Sequence, residues 1–193
     1  MATDDQRRWD RQHAAGHGSN QPSGFLKEVL LNGSWPIERG RALDIATGKG
    51  RNAIFLAERG FDVAAIDVSS EALDEARKRA AAKRLTISWQ QADLERIELP
   101  AAAFDLIVNF NYLQRSLIPQ IKTALKPGGH VVFETFLIGQ ETLGHPKNPA
   151  YLLGHNELLE WFRDFRVLWY REGKLTEGGE ASFRAGILAQ ERG

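Results

Sequence analysis

The sequence predicts an α/β fold, with a mostly parallel sheet covered by helices on both faces. Between residues 41 and 136, strand-like and helix-like segments alternate, which favours right-handed crossovers between parallel strands. The tail breaks this alternation, because strand-like segments at 166–172 and 181–190 flank a turn-rich stretch and so predict a hairpin. A buried strand also runs directly into a glycine-rich turn and a helix at 41–59.

Hydrophobic periodicity, turn residues and helix-capping residues place each element in order. Strands are predicted at 41–45, 61–66, 86–91, 104–109, 130–136, 166–172 and 181–190. Helices are predicted at 25–31, 51–59, 70–83, 115–125 and 156–162. An irregular insertion at 137–155, with two prolines, three glycines and two histidines, is predicted to be a binding loop or lid.

The composition is that of one globular domain, which we expect to cover residues 1–193. Lysine plus arginine equals aspartate plus glutamate, 25 each, so no long-range field attracts nucleic acid or an anionic membrane. The absence of cysteine excludes disulfides, thiolate metal sites and a cysteine nucleophile, and we predict no metal site.

Chemistry-bearing residues follow the ends of three consecutive predicted strands. Gly48 and Gly50 lie in the first turn and let the backbone approach a ligand, although such glycines more often serve only the turn. Asp67 ends the second strand and can accept hydrogen bonds from ribose hydroxyls; the alternative is a cap of the helix after Ser69. Asp93 follows the third strand, where it can read an adenine edge or be a solvated loop acid. Together they predict a nucleotide-cofactor site.

These residues resemble those of the class I S-adenosylmethionine-dependent methyltransferases. The resemblance covers roughly residues 40–136 and includes AFDLIVNF at 103–110, which looks like the family's fourth strand, and LKPGG at 125–129. LDIATGKGRNAIFLAERGFDVAAIDVS at 43–69 and PSGFLKEVL at 22–30 are most similar to small tellurite-resistance and thiopurine-type members. The resemblance implies a doubly wound, Rossmann-like sheet of seven strands with an antiparallel last strand.

The resemblance also implies S-adenosyl-L-methionine as cofactor and methyl transfer to a small molecule or oxyanion. It implies that Asp44 holds the methionine amino group, that Asp67 binds the ribose and that Asp93 reads the adenine. Asn109 would present its carbonyl to the same amino group. The predicted cofactor-binding set is completed by neighbours of these residues and by the turn: Ala46, Gly48, Gly50, Val68 and Leu94.

One departure from the family pattern and two alternative functions accompany this prediction. The family's usual glycine in the turn is Ala46 here, a small replacement that we expect to leave the turn intact. The spacing of Gly48, Gly50 and Ala53, with Asp67 beyond, also satisfies a loose dinucleotide fingerprint. An NAD-dependent oxidoreductase is therefore the alternative enzyme, and a non-catalytic S-adenosylmethionine-binding module is the other alternative.

The segment Asn109-Phe110-Asn111-Tyr112 resembles the NPPY signature of methyltransferases that act on amino nitrogens of DNA, RNA or protein. It keeps the asparagine and the tyrosine but has neither proline, and those prolines fix the backbone that grips a planar nitrogen. Together with the zero net charge, this predicts a small acceptor and no nucleic-acid partner.

Candidate acceptor-side residues follow the fourth strand or lie in the insertion. Tyr112, Gln114 and Arg115 follow the strand, and Arg115 would pair with an anionic acceptor or else be a solvated first-turn arginine. His145 and His155 are candidate general bases for a hydroxyl or thiol acceptor; the alternative is that both are solvated loop histidines.

The polar N-terminal segment 1–24 is predicted to be either a flexible tail or a lid over the cofactor. Trp9 and His13 are four residues apart and would share a helical face. The segment lacks the apolar core of a secretory signal, and no stretch reaches the roughly 18 apolar residues of a membrane span. Because the implied cofactor is made in the cytosol, we expect a cytoplasmic protein without a membrane partner.

Overall fold

The computed structural model describes residues 20–31, 33–177 and 179–193 and has a seven-stranded sheet at its centre, in the order β3-β2-β1-β4-β5-β7-β6. The strands are β1 (Arg41–Ile45), β2 (Asp62–Asp67), β3 (Ser88–Gln91), β4 (Phe104–Phe110), β5 (Leu125–Phe136), β6 (Arg166–Glu177) and β7 (Glu180–Gln190). The helices are α1 (Gly24–Leu31), α2 (Arg51–Ala57), α3 (Ser70–Ala82), α4 (Ile118–Ala124) and α5 (Glu157–Trp161). Short 3-10 turns lie at Arg115–Leu117, Gln140–Thr142 and Pro149–Tyr151.

This topology confirms the predicted fold class. β1 pairs in parallel with β2 and β4, and β2–β3 and β4–β5 are also parallel pairs. β7 is antiparallel to both of its neighbours, β5 and β6. A fold of the dinucleotide-dehydrogenase type would instead end in a parallel strand, so the topology disfavours the NAD-dependent alternative.

An apolar cluster covers each face of the sheet. On the first face, called the α1–α3 face, Phe25 of α1 and Leu56 of α2 pack on strand residues such as Leu106. On the opposite α4–α5 face, Ile121 and Leu158 pack on the sheet. None of the helices in the described residues is long and apolar enough to cross a membrane.

The C-terminal hairpin is longer than predicted. The segment 173–180 was expected to be a turn, but β6 continues to Glu177 and β7 starts at Glu180, with Gly173 paired to Arg184. Two antiparallel strands satisfy each other's backbone groups, and glycine tolerates the φ of +133° at Gly173, so turn-like composition does not end the ladder. Since Phe136, the last residue of β5, also pairs with Arg184, the hairpin projects beyond the end of β5.

The LKPGG segment is a bulge within β5, and the helix before it is shorter than predicted. Leu125 pairs with Phe104 and His130 pairs with Leu106, so residues 126–129 together stand opposite Asp105. The helix predicted at 115–125 begins as a 3-10 turn and becomes α-helical only at 118–124, with a proline in its first turn.

Candidate active site

Asp44 lies at the carboxyl end of β1, beneath the glycine-rich turn, and is 1% exposed. Its Oδ2 accepts hydrogen bonds from the Thr47 hydroxyl at 2.5 Å and from the Ala53 N–H at 3.0 Å. Burial raises the pKa of this carboxyl to about 7, although both hydrogen bonds act in the opposite direction. A cation placed against Asp44 would therefore be bound strongly, because it would offset the cost of burying the ionised form.

The turn above Asp44 has a left-handed backbone at several residues. Ala46, Gly48 and Gly50 have φ values of +52°, +54° and +72°. A Cβ at Gly50 would lie 2.7 Å from the Trp89 ring, so packing alone requires glycine there. Ala46 keeps the turn, as expected, but it holds a conformation that is strained for any residue with a Cβ.

Asp67 connects the turn to the start of α3. Its Oδ2 accepts a hydrogen bond from the Gly48 N–H at 2.7 Å, and its Oδ1 accepts one from the Ser69 N–H at 2.9 Å. The alternative in which Asp67 caps α3 is wrong, because Ser69 is the N-cap and its hydroxyl accepts from the Ala72 N–H at 3.1 Å. The carboxylate of Asp67 instead faces the turn.

Asp93 and its neighbours follow β3. The Asp93 Oδ1 accepts a hydrogen bond from the Glu95 N–H at 3.0 Å, which forms a local turn, and Leu94 beside it is buried. Asp93 is half-buried rather than fully solvated. Across the strand ends, the carbonyl of Val68 accepts from the Gln91 side chain at 3.2 Å.

Asn109 stands near the end of β4, in register with the β1 end. Ile45 pairs with Ile66 on one side and with Asn109 on the other, so the ends of β2, β1 and β4 are level. The buried Asn109 amide donates to the Tyr112 carbonyl at 2.8 Å and turns the chain after β4. The sheet therefore brings Asp44, Asp67 and Asn109 to one edge.

The chain at residues 20–23 is fastened beside the turn. Arg79 of α3 donates to the Lys49 carbonyl in the turn at 2.7 Å and to the Asn20 carbonyl at 3.1 Å. The Ser23 N–H donates to Asn52 Oδ1 at 2.9 Å. Sequence reasoning missed Arg79, since one arginine on an exposed helix carries no distinguishing pattern. Residues 1–19, with Trp9 and His13, lie outside the described residues.

Arg115 has a role that neither predicted alternative named. Its guanidinium binds the Glu157 carboxylate through two nitrogens, at 2.7 and 3.0 Å. It also donates to the carbonyls of Ala150 and Leu152, each at 2.9 Å. Burial tends to raise the pKa of Glu157, but the contacts with Arg115 lower it overall. Arg115 thus clamps the insertion to the segment after β4, and its guanidinium makes these contacts although the side chain is 45% exposed.

The insertion returns to the sheet beside the end of β5. The Leu153 N–H donates to the Phe136 carbonyl and the Ile138 N–H donates to the Leu153 carbonyl, both at 2.9 Å. Leu153 bridges Leu137 in parallel, on the side of β5 where β4 has already ended. The insertion therefore occupies the sheet position directly beyond the end of β4.

The two histidines of the insertion differ in their surroundings. Both histidines are exposed, but only the His155 ring has a carboxylate beside it among the described residues: its Nδ1 lies 2.8 Å from Glu172 Oε1. Glu172 also accepts hydrogen bonds from the Asn156 N–H at 2.8 Å and from the Tyr170 hydroxyl. Burial tends to raise the pKa of Glu172, but these hydrogen bonds lower it overall. Glu172 orients His155, an arrangement common in general bases.

A buried ion-pair network, absent from the predicted site, lies at the same edge on the α1–α3 face. Glu134 of β5 is 1% exposed and accepts from the Arg171 Nη2 at 2.6 Å. Arg184 of β7 lies 3.7 Å from the other Glu134 oxygen, donates to Asn111 at 2.7 Å and stacks on Phe136. A glutamate inside the apolar strand sequence HVVFETF was the available signal, because a buried charge needs a partner.

Comparisons with known proteins agree with this geometry. A family profile described as a methyltransferase domain matches residues 42–129. The demethylmenaquinone methyltransferase of Deinococcus radiodurans is 36% identical over 105 residues, 50% of this chain and 43% of that protein. The ubiquinone biosynthesis O-methyltransferase of Nitrosococcus oceani is 36% identical over 101 residues, 49% of this chain and 43% of that protein. The chain thus spans less than half the length of these curated relatives.

Among solved structures, TehB from Haemophilus influenzae has a TM-score of 0.75 at 22% identity, over 95% of this chain and 67% of that chain. That similarity shows the fold, and the sheet order and the matched domain agree with it. These comparisons confirm the resemblance of the chain to the class I S-adenosylmethionine-dependent methyltransferases.

Proposed function

We propose that this protein transfers a methyl group from S-adenosylmethionine to a small-molecule or oxyanion acceptor at the carboxyl ends of β4 and β5. The observation that carries the proposal is the pair of carboxylates, Asp44 and Asp67, at neighbouring strand ends around one glycine-rich turn. The curated relatives named above, whose names refer to demethylmenaquinone and to ubiquinone biosynthesis, support a small acceptor.

The residues at this edge fit the family's cofactor. The methionine part of S-adenosylmethionine carries an ammonium group, and Asp44, whose pKa burial raises to about 7, would gain from such a cation. Asp67 would hold the ribose hydroxyls and Asn109 would offer its carbonyl to the amino group. Asp93, with Val68 and Leu94, would bind the adenine.

The cofactor supplies a methyl group on a positively charged sulfur, which is already an activated leaving group. The chain then has to orient the acceptor and exclude water. The reaction requires neither a catalytic triad nor a pair of carboxylates that act as general acid and base. The insertion, clamped by Arg115, and the segment fastened by Arg79 border the site and would serve this purpose.

On the acceptor side, the contacts favour His155 among the basic groups. Arg184 lies beside Asn111, just after the end of β4, but its guanidinium is already engaged by Asn111 and Glu134, so we assign the anion-pairing role to neither arginine. Glu172 holds His155 through Nδ1, which leaves Nε2 to accept a proton from a hydroxyl or thiol. His145 has no comparable orienting carboxylate among the described residues, so we assign the base role to His155.

A nucleic-acid acceptor is disfavoured in this proposal. Asn111 has a φ of +59°, a value that proline, fixed near −65°, cannot adopt, so the backbone here differs from that of an NPPY segment. The zero net charge offers no extended attraction for a phosphate backbone.

Calorimetry with S-adenosylmethionine and with NAD tests the cofactor assignment, and we expect binding of the first only. An acceptor screen read out by S-adenosylhomocysteine release then tests transfer, with tellurite, selenite, thiols and small hydroxylated carboxylates as acceptors. Binding without release for any acceptor would favour the non-catalytic module, and binding of NAD alone would overturn the proposal.

A further inference from the structure

Thr135, the penultimate residue of β5, carries a buried hydroxyl that the site described above does not use. The side chain is 1% exposed, and its Oγ1 has no hydrogen-bond partner among the described residues. A buried hydroxyl without a partner destabilises the native state, so its presence calls for an explanation. A ligand or a buried water would supply the missing hydrogen bond.

The position of Thr135 in the strand places it on the acceptor side. Alternation along β5 puts its side chain on the α4–α5 face, with Val131 and Phe133. One residue further, the Phe136 carbonyl accepts the hydrogen bond from Leu153, where the insertion rejoins the sheet. Thr135 therefore lies next to the point at which the insertion closes over the end of β4.

Thr135 also lies in the same cross-strand row of the sheet as the carboxylate that holds the proposed base. It pairs with Ala185 of β7, and Ala185 pairs with Glu172 of β6, the carboxylate that holds His155. Directly paired residues point to the same face, and two strand spacings separate Thr135 from Glu172 by roughly 10 Å. The small Ala185 side chain lies between them in this row.

We propose that the Thr135 hydroxyl binds the methyl acceptor when the insertion lifts from the end of β5. The inference rests on the proposed function and deepens it, because it defines the acceptor as a compound with an oxygen that accepts a hydrogen bond from Thr135. A site that hydrogen-bonds its substrate discriminates strongly against analogues that lack the bonding group. Thr135 would thus select oxyanions and hydroxylated compounds over simple thiols.

The test compares Thr135→Val, which keeps the shape and removes the hydroxyl, with Thr135→Ser, which keeps the hydroxyl. Methylation of selenite, 3,4-dihydroxybenzoate and thiophenol is followed by S-adenosylhomocysteine release, and cofactor affinity is measured by calorimetry. We expect kcat/KM for the best oxygen-bearing probe to fall about tenfold in Thr135→Val and to stay within about threefold in Thr135→Ser. Cofactor affinity and the thermal unfolding midpoint of Thr135→Val should be unchanged or higher.

Three results would overturn the inference. Unchanged kcat/KM in a folded Thr135→Val variant with a lower unfolding midpoint would mean that the hydroxyl serves only a buried water. Turnover of thiophenol alone would contradict an oxygen-bearing acceptor while leaving methyl transfer intact. Wild-type binding of S-adenosylmethionine without turnover of any probe would contradict the acceptor class, whereas absence of cofactor binding would defeat the proposed function itself.

Discussion

The backbone N–H of Gly48 donates a 2.7 Å hydrogen bond to Oδ2 of Asp67, so the carboxylate proposed to bind ribose also holds the glycine-rich turn. The other oxygen accepts from Ser69, the N-cap of α3. One side chain thereby fixes the turn relative to the helix that follows β2. Its structural and ligand-binding contributions can be separated by two substitutions.

Asp67→Ala should lower the affinity for S-adenosylmethionine at least tenfold in calorimetry. Hydrogen bonds to charged groups contribute about 1.5–3 kcal/mol each, and about 1.4 kcal/mol corresponds to a factor of ten. Asp67→Asn keeps one accepting oxygen and should lose less affinity than Asp67→Ala. If a folded Asp67→Ala variant binds the cofactor as well as wild type does, Asp67 acts only on the turn.

Asp44 should make the protein less stable as the pH rises from about 5 to about 8. Burial raises the pKa of this carboxyl from 3.8 to about 7 in the native state, so the native protein retains a proton that the unfolded chain has released. The free energy of unfolding then falls with pH, by roughly 2–3 kcal/mol between about pH 5 and pH 8 from this group alone.

Asp44→Asn is the matched control for this pH effect, because the amide oxygen can still accept from Thr47 and Ala53. Urea unfolding of both proteins at the two pH values isolates the contribution of Asp44, since the other titrating groups cancel in the comparison. Equal pH slopes for the two proteins would show that Asp44 ionises normally. We also expect Asp44→Asn to bind S-adenosylmethionine more weakly at pH 8, where wild-type Asp44 is ionised.

Arg115→Ala and Glu157→Ala should have the same effect, because each removes one side of the clamp on the insertion. We expect faster limited proteolysis within 137–155 and a lower kcat/KM for the acceptor, with cofactor affinity nearly unchanged. Lys83→Ala, which breaks the exposed pair with Glu58, is the control and should change neither readout. Different phenotypes for the two clamp variants would point to a direct role of Arg115 in acceptor binding.

Arg79→Ala should release residues 20–23 from the glycine-rich turn. We expect faster proteolysis there, slowed less by S-adenosylhomocysteine than in wild type, and weaker cofactor binding, because both carbonyls held by Arg79 lose a charged donor. Arg77→Ala on the same helix is the control, since Arg77 pairs only with the exposed Asp74 among the described residues. Identical cleavage patterns for the two variants would contradict the tether.

The sequence was sufficient to predict the sheet, because buried parallel strands such as Phe104–Phe110 are apolar runs bounded by turn residues. It also placed Asp44 and Asp67 correctly at adjacent strand ends, since a strand followed by a helix fixes where each carboxyl end lies. The limits of the hairpin were not predictable in this way. Whether the backbone at Gly173 turns or stays paired depends on its partner strand, and local composition does not contain that information.

The acceptor side was harder to predict because its contacts join distant parts of the chain. Arg115 meets Glu157, 42 residues away, and Arg184 meets Asn111, 73 residues away. Neither pairing has a spacing rule that single-sequence reasoning can use. An arginine after β4 is compatible with an anion site, a solvated surface or a clamp, and only the path of the insertion decides among these.

The sheet order also separates the two halves of the site along the polypeptide. The proposed cofactor contacts lie between Asp44 and Asn109, whereas Thr135, His155 and Glu172 all come after residue 129, where the match to the methyltransferase profile ends. Two chains can therefore inherit the same matched region and diverge in the compound that they methylate. Relatives that share this acceptor are best sought by requiring agreement in the stretch from Glu134 to Arg184, even at the expense of overall identity.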